Sequence, residues 1–240
     1  MSEIVDFDQM YRDERTLKGL PAATPWDIGE PQPVIRQLVA HGAVRGRVLD
    51  PGTGPGHNAI YYASHGHSVT GIDGSSAAIE RANGNARAAG VSVDFQIGDA
   101  TKLAGLDGAF DTVVDSAFYH CFLSDEQIQL DYIKALHRAT KPGARLYMFE
   151  FGRHNVNGFS LPNGIPEDNF RRILPAGGWN ITYLGPTTYQ ANLNLSTVEV
   201  VAANNPEGIP FLDGLRAIAP LLVDDRLHAP FWEVHATRAD

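Results

Sequence analysis

From residue 46 to residue 151 the chain repeats one rhythm: a short run of apolar, often β-branched residues, then a stretch whose apolar positions fall three and four apart. Such runs read as strands and such spacing as helices. "GRVLD", "HSVTGID", "VSVDFQIGD", "FDTVVDSAFYHCF" and "ARLYMFEF" are five predicted strands, and "HNAIYYASHG", "SSAAIERANGNARAAG" and "SDEQIQLDYIKALHRATKPG" are helices between them. Ser75 is placed to cap the second of these helices and Gly90 to stop it. Ser124 and Gln127 form a capping box for the third, and Pro142-Gly143 marks its end. This alternation predicts a parallel sheet with helices on both faces, and in such sheets ligands bind at the carboxyl ends of the strands.

Outside that rhythm the pattern changes. Residues 6–18 read as a polar helix carrying Phe7, Met10, Tyr11 and Leu17, and the linker "PAATPWDIGEPQP" that follows holds four prolines that forbid a helix through it. A helix over "PVIRQLVAHG" leads into the first strand. Beyond residue 152, "PEDNFRRILPAGG" is expected to be a helix, "WNITYLGPTTYQ" a strand, and "FWEVHATR" a last strand pairing antiparallel at the sheet edge. Residues 190–229 read as an insertion with one helix near "PFLDGLRAIAPLL".

Composition narrows the choices. At 240 residues, 43% hydrophobic and 20% charged, the chain fits one α/β domain, residues 1–240, with residues 1–32 as an N-terminal lid and linker. A net charge of -9, with Lys and Arg scattered, argues against nucleic acid as a partner. One cysteine, Cys121, leaves no disulfide framework and no multi-cysteine metal site. No apolar run suits a signal peptide or a membrane span, so a cytoplasmic protein with no membrane partner is expected.

The chemistry starts at Asp50-Pro51-Gly52-Thr53-Gly54-Pro55-Gly56, between the first strand and the helix after it. Glycines there let a ligand approach the backbone with no Cβ in the way. A dinucleotide fingerprint would need glycine at position 57, where the chain has His57. The pattern is instead D-x-G-x-G-x-G, and acids follow at the ends of the next three strands: Asp73, Asp99 and Asp115. Asp73 lies near the spacing at which an acid takes ribose hydroxyls, about 20 residues on.

These motifs resemble the class I S-adenosylmethionine (SAM) dependent methyltransferases. The resemblance implies a Rossmann-like, mostly parallel seven-stranded sheet whose last strand is antiparallel, SAM as cofactor with S-adenosylhomocysteine as product, and no metal. By it Asp50, Gly52, Gly54 and Gly56 face the methionine part, Asp73 with Gly74 the ribose, Asp99 with Ala100 the adenine, and Asp115 the end nearest the substrate. The fourth-strand wording, Asp115-Ser116-Ala117-Phe118-Tyr119-His120, lacks the signatures of the DNA amino- and cytosine-methylating branches and offers one acid where a catechol-type site needs a cluster. With "TPWDIGEPQP" upstream it resembles the thiopurine-type small-molecule branch, and within it the bacterial heterocyclic toxin methyltransferases that act on 1-hydroxyquinolin-4-ones. That implies Trp26 and Gln32 in the cofactor pocket, Tyr11 on a lid, and detoxification of a small aromatic heterocycle by a monomer or weak homodimer.

Charge is destroyed when a methyl passes from sulfonium to an anionic oxygen, so a dry apolar pocket favours the step. Phe118, Tyr119, Phe149, Phe151 and Phe170 are candidate walls. His120 is the candidate general base because its ordinary pKa lies near neutrality; for an acceptor already ionised it would only orient. Tyr119 is the alternative donor, and His154 a further group facing the acceptor. Three alternatives stand beside this reading: another small acceptor such as a quinol, phenol or thiol, an NAD(P)-dependent oxidoreductase, and a non-catalytic SAM-binding module.

Overall fold

The computed structural model describes residues 7–12, 26–161, 163–192, 209–222 and 226–240. Strands β1 (Arg47–Pro51), β2 (Ser68–Asp73), β3 (Asp94–Ile97), β4 (Phe110–Ser116), β5 (Thr140–Phe151), β6 (Trp179–Ala191) and β7 (Leu227–Arg238) form one sheet in the order β3-β2-β1-β4-β5-β7-β6. All pairings among β1 to β5 are parallel, and β7 runs antiparallel to both β5 and β6. The sheet type agrees with the sequence pattern. The place of the last strand does not, because β7 sits inside the sheet and β6 forms the edge. Burial decides this: Phe231, Val234 and Ala236 of β7 are buried, whereas β6 exposes Tyr183.

Helices α1 (Phe7–Arg12), α2 (Pro33–Ala40), α3 (His57–Ser64), α4 (Ser76–Ala89), α5 (Glu126–Ala139), α6 (Glu167–Ala176) and α7 (Ile209–Ile218) surround the sheet. One apolar cluster joins Ile35 and Leu38 of α2 and Tyr62 of α3 to Phe149, Tyr189 and Phe231. The other joins Ile133 and Leu136 of α5 and Phe170 and Leu174 of α6 to Leu146, Met148 and Trp179. Two-sided burial explains why the inner part of β5, Leu146 to Phe149, is a continuous apolar run.

Local signals held at α4, where the Ser75 hydroxyl accepts from Ala78 N at 3.1 Å and Gly90 closes the helix at φ 68°. Ser75→Ala removes that cap and is expected to cost roughly 1 kcal/mol of stability, read as a lower Tm in thermal melts. At α5 the cap is Asp125, one residue later than expected, accepting from Gln127 N at 2.9 Å and Ile128 N at 3.2 Å. A carboxylate is the stronger partner for a helix N-terminus. Nor does Pro142-Gly143 end that helix: it stops at Ala139 and β5 begins at Thr140. The fourth strand ends at Ser116, and Tyr119–Phe122 is a 3-10 turn entered through Ala117 at φ 62°.

Of the helix expected at 6–18, Phe7–Arg12 is described; Leu17 and the side chains of Phe7 and Met10 lie outside the described residues. The insertion contains α7 and a short 3-10 turn, Ala219–Leu221, and its residues 193–208 and 223–225 also lie outside them.

Candidate active site

A cavity of 1180 Å³ opens at the carboxyl ends of β1, β2 and β4. At one end is the glycine turn. Gly52 adopts φ 68°, and a Cβ there would lie 2.2 Å from the Phe118 ring; a Cβ on Gly54 would lie 2.8 Å from Tyr11 Oη. Both positions exclude side chains by contact as well as by conformation. His57, where a dinucleotide site would have glycine, instead opens α3 and sets its Nε2 3.1 Å from Asp27 Oδ1.

Carboxylates surround the turn. Asp73 accepts from Gly54 N at 2.9 Å and Ser75 N at 2.8 Å, each oxygen keeping further acceptor capacity, and burial pushes its pKa up. Asp50 is 2% exposed, accepts from the Thr53 hydroxyl at 2.6 Å, and is pushed up to about 7 by burial. Asp99 is held below the usual carboxyl range by Lys102, 2.8 Å away, and by Thr101. Gly74, Ala100 and Ile97, the last 62% exposed, complete this end.

The N-terminal segment lies over the same end. Asp8 accepts from Ser75 Oγ at 2.8 Å and Ala77 N at 3.0 Å at the start of α4, while Trp26 Nε1 donates to Tyr11 Oη at 2.9 Å. Gln32 lines the cavity, but both ends of its amide are taken by the Gln190 backbone, at 2.8 and 3.0 Å. It therefore ties the linker to β6.

The other end is apolar. Phe118, Phe122, Phe151, Leu161, Leu227 and Phe231 line it, with Tyr189 stacked on Phe231 at 4.4 Å. His120 joins them: its ring stacks on Phe151 at 4.1 Å and its Nδ1 lies 3.0 Å from Glu150 Oε2. Burial pushes the imidazole down to about 4, so it is neutral at physiological pH. Between the two ends runs a polar string in which Asn58 Nδ2 donates to Ser116 Oγ at 3.1 Å and Ser116 meets Tyr189 Oη at 2.8 Å.

Several residues singled out from the sequence lie elsewhere. Tyr119 has no exposure: its phenol oxygen is 2.9 Å from Gln129 Oε1 and 2.8 Å from Asn169 Oδ1, so it serves the core and does not reach the cavity. Asp115 is equally buried and holds the turn, accepting from Phe118 N at 3.0 Å and Tyr132 Oη at 2.8 Å. His154 turns its Nε2 to Thr187 O at 3.1 Å, packs against Trp232 and is not in the cavity wall. Gly56 caps α3, where a Cβ would lie 2.7 Å from Phe95, so packing governs it. Phe149 and Phe170 are core. Position explains the misplacements: in the 3-10 turn Tyr119–Phe122 the core takes Tyr119, while His120, Cys121 and Phe122 line the cavity.

Glu150, Asn58, Ser116 and Tyr189 carry geometry that sequence reasoning missed. Only Glu150 left a signal, as an acid between two phenylalanines in a strand buried on both faces. Both Glu150, at 2.8 Å, and Asp115 accept from the Phe118 amide, which brings two buried carboxyls together. Burial and the neighbouring charge raise Asp115 well above the usual range, and burial pushes Glu150 up to about 7.

Stability should follow. A buried acid with a raised pKa keeps its proton in the folded state while the unfolded chain has lost it, so its stabilising effect is present at low pH and fades as pH rises toward the folded pKa. Between pH 5.5 and their folded value of about 7, Glu150 and Asp50 each contribute roughly 2 kcal/mol to this decline, and His120, pushed down to about 4, opposes it by roughly 1 kcal/mol up to its ordinary value of 6.5. The ligand-free protein is expected to melt roughly 5 °C or more lower at pH 8 than at pH 5.5. A Tm that rises across that interval would contradict the shared burial of these acids.

Among the described residues, no group of three or more His, Cys, Asp or Glu side chains is placed to hold a metal ion, and no helix is long and apolar enough to cross a membrane.

Comparison with known proteins agrees with this geometry. The family described as "Methyltransferase domain" matches residues 48–143. A 2-heptyl-1-hydroxyquinolin-4(1H)-one methyltransferase of Mycobacteroides abscessus is 33% identical over 191 residues, covering 78% of this chain and 81% of that protein. A probable thiol methyltransferase of Arabidopsis thaliana is 32% identical over 160 residues, 63% of this chain and 67% of that one. Among solved structures, one from work on the conversion of a disulfide bond into a thioacetal group during echinomycin biosynthesis aligns with TM-score 0.76 and 29% identity, covering 100% of this chain and 93% of that one.

Proposed function

Because the chain belongs to the class I SAM-dependent methyltransferases, we propose that it methylates an oxygen, or a nitrogen, of a small flat aromatic heterocycle of the 1-hydroxyquinolin-4-one kind. When bound, SAM supplies an electrophilic methyl group on a sulfonium centre. The residues present fit it: Gly52 and Gly54 leave the turn without side chains, and Asp8, Glu30, Asp50, Asp73 and Asp99 line the cavity with no Lys or Arg among its described lining residues. Such a wall suits a cation.

Asp73 would hold the ribose hydroxyls with its remaining acceptor capacity, and Ile97, Asp99 and Ala100 would receive the adenine. Asp50 and the glycine turn face the methionine part. Residues 1–32 act as lid and linker of one domain, with Tyr11 and Trp26 over the glycine turn, and exclude water from the transfer. Phe118, Phe122, Phe151 and Phe231 hold the acceptor flat and in line with the methyl, an orientation advantage of up to roughly 7–11 kcal/mol. His120 takes the acceptor's proton.

The observation carrying this reading is the aromatic end of the cavity, apolar except for His120 and the Ser116–Tyr189 string. It supports a small molecule over nucleic acid as acceptor; a cytoplasmic monomer or weak homodimer with a detoxifying role belongs to the same proposal and is carried over with the sequence resemblance. Mass spectrometry after incubation with SAM and a panel of N-hydroxyquinolones, phenols, quinols and thiols tests it. One methyl gained by 2-heptyl-1-hydroxyquinolin-4(1H)-one is the expected result. Methylation of thiols alone would move the acceptor class, and SAM binding with no methylated compound would leave a non-catalytic module.

A further inference from the structure

We propose that Glu150 is a positioning residue for the transfer: it holds His120 in the tautomer protonated at Nδ1, so that Nε2 takes the proton of an acceptor that enters the cavity as a neutral hydroxyl. This rests on the acceptor reading above and adds how the proton is handled.

Geometry assigns the tautomer. Glu150 Oε1 accepts from Phe118 N and Tyr119 N, both at 2.8 Å, and Oε2 accepts from His120 N at 3.2 Å. Three amides gathered on one side chain demand an acceptor, so both oxygens face the turn as acceptors. From about pH 7 upward Glu150 is ionised and has no proton to give, so His120 Nδ1, 3.0 Å from Oε2, donates. A neutral imidazole with its proton on Nδ1 carries a lone pair on Nε2. The ring is held by its stack on Phe151 and lines the cavity, and among the described residues Nε2 makes no hydrogen bond.

Electrostatics assigns the acceptor's charge state. Of the five carboxyl side chains that line the cavity, Asp8, Glu30 and Asp99 are paired with Arg12, with Arg36 and Arg226, and with Lys102, while no described basic side chain pairs with Asp50 or Asp73. The field of these two opposes entry of an anion and not of a neutral acid. The titratable groups facing the dyad are Asp115 from β4, Tyr132 from α5, Tyr189 from β6, and Tyr119 and Cys121 from the turn. None of them is a cation. Burial alone makes a protonated His120 costly, and the Glu150 carboxylate is the counter-charge that makes it tolerable for one step. In that step the acceptor's O–H proton moves to Nε2 and the freed oxygen pair forms the new O–CH₃ bond. The S–CH₃ pair stays on sulfur as a neutral thioether, and the imidazolium afterwards gives its proton to water.

Glu150→Gln tests this, since Gln keeps an oxygen for the amides but presents an NH₂ group that must donate to Nδ1. Nitrogen-15 NMR of histidine-labelled protein, with His120 assigned from the signal lost in His120→Ala, reads the tautomer without any acceptor. Wild type is expected to show Nδ1 protonated and Nε2 bare at neutral pH, and Glu150→Gln the reverse. With 2-heptyl-1-hydroxyquinolin-4(1H)-one, kcat should fall roughly 100-fold in Glu150→Gln with KM little changed. The remaining activity should climb with pH as the acceptor ionises by itself, while SAM affinity by calorimetry stays within a few fold. A wild-type His120 protonated at Nε2, or a variant with unaltered kcat and pH profile, overturns the proposal. Failure of wild type to methylate the quinolone would instead remove the acceptor reading, with the tautomer measurement still deciding the role of Glu150.

Discussion

Asp73→Ala is expected to weaken SAM binding roughly 100-fold or more, because two hydroxyl hydrogen bonds to an ionised acceptor contribute about 1.5–3 kcal/mol each. Isothermal calorimetry reads this directly. The variant also strips the Gly54 and Ser75 amides of their acceptor, so the glycine turn and the start of α4 lose their shared anchor. Some loss of stability, roughly 1–3 kcal/mol, should accompany the loss of affinity. Asp73→Asn separates the two effects. Its amide oxygen can keep one backbone contact and its nitrogen must donate, so most of the fold returns while bidentate acceptance by a carboxylate does not. If Asp73→Ala remains folded and binds SAM as wild type does, the ribose lies elsewhere and the assignment of the cavity's acidic end is wrong.

Removing the base should have the other large effect. His120→Ala is expected to lower kcat by roughly 10²–10⁴ toward an acceptor that enters with its hydroxyl protonated. SAM affinity should change little, since His120 lines the apolar end, stacked on Phe151 at 4.1 Å, away from the glycine turn. The loss should shrink at high pH, where the acceptor ionises in solution, and added imidazole should restore part of the rate by filling the space left over Phe151. Undiminished turnover at neutral pH would assign the proton to water. The contrast with Glu150→Gln is diagnostic: alanine at 120 removes the ring, whereas Gln at 150 leaves the ring in place with its proton on the wrong nitrogen.

Much of the architecture was legible because its causes are local. β-Branched runs, helical spacing, Ser75 as a cap and Gly90 as a stop act over a few residues, and each was found where the pattern put it. The glycine turn was legible for a related reason: a backbone that must meet a ligand or an aromatic ring cannot carry a Cβ, and only glycine satisfies that. Where two signals competed, the stronger interaction won, once locally and once across the sheet. Asp125 displaced Ser124 as a cap, and burial moved the last strand from the edge into the sheet.

At the acceptor end the order of residues was a poor guide. "SAFYHCF" places Phe118, Tyr119 and His120 side by side, yet the fold sends Phe118 and His120 to the cavity and Tyr119 into the core beside Asn169. That division depends on Glu150, thirty positions away on β5, gathering the amides of all three residues. Asn58, Ser116 and Tyr189 become one polar string only because α3, β4 and β6 bring them together at one end of the sheet. By itself the sequence determined the parallel α/β sheet and the bare turn, since these depend on side chains acting on their own neighbourhood, and the turn with the acids after it carried the resemblance that pointed to SAM. Tertiary structure alone decided that His120 and not His154 lines the cavity and that Glu150 is the carboxyl beside it, because a side chain's direction and a buried acid's partner are set by packing between segments far apart in the chain.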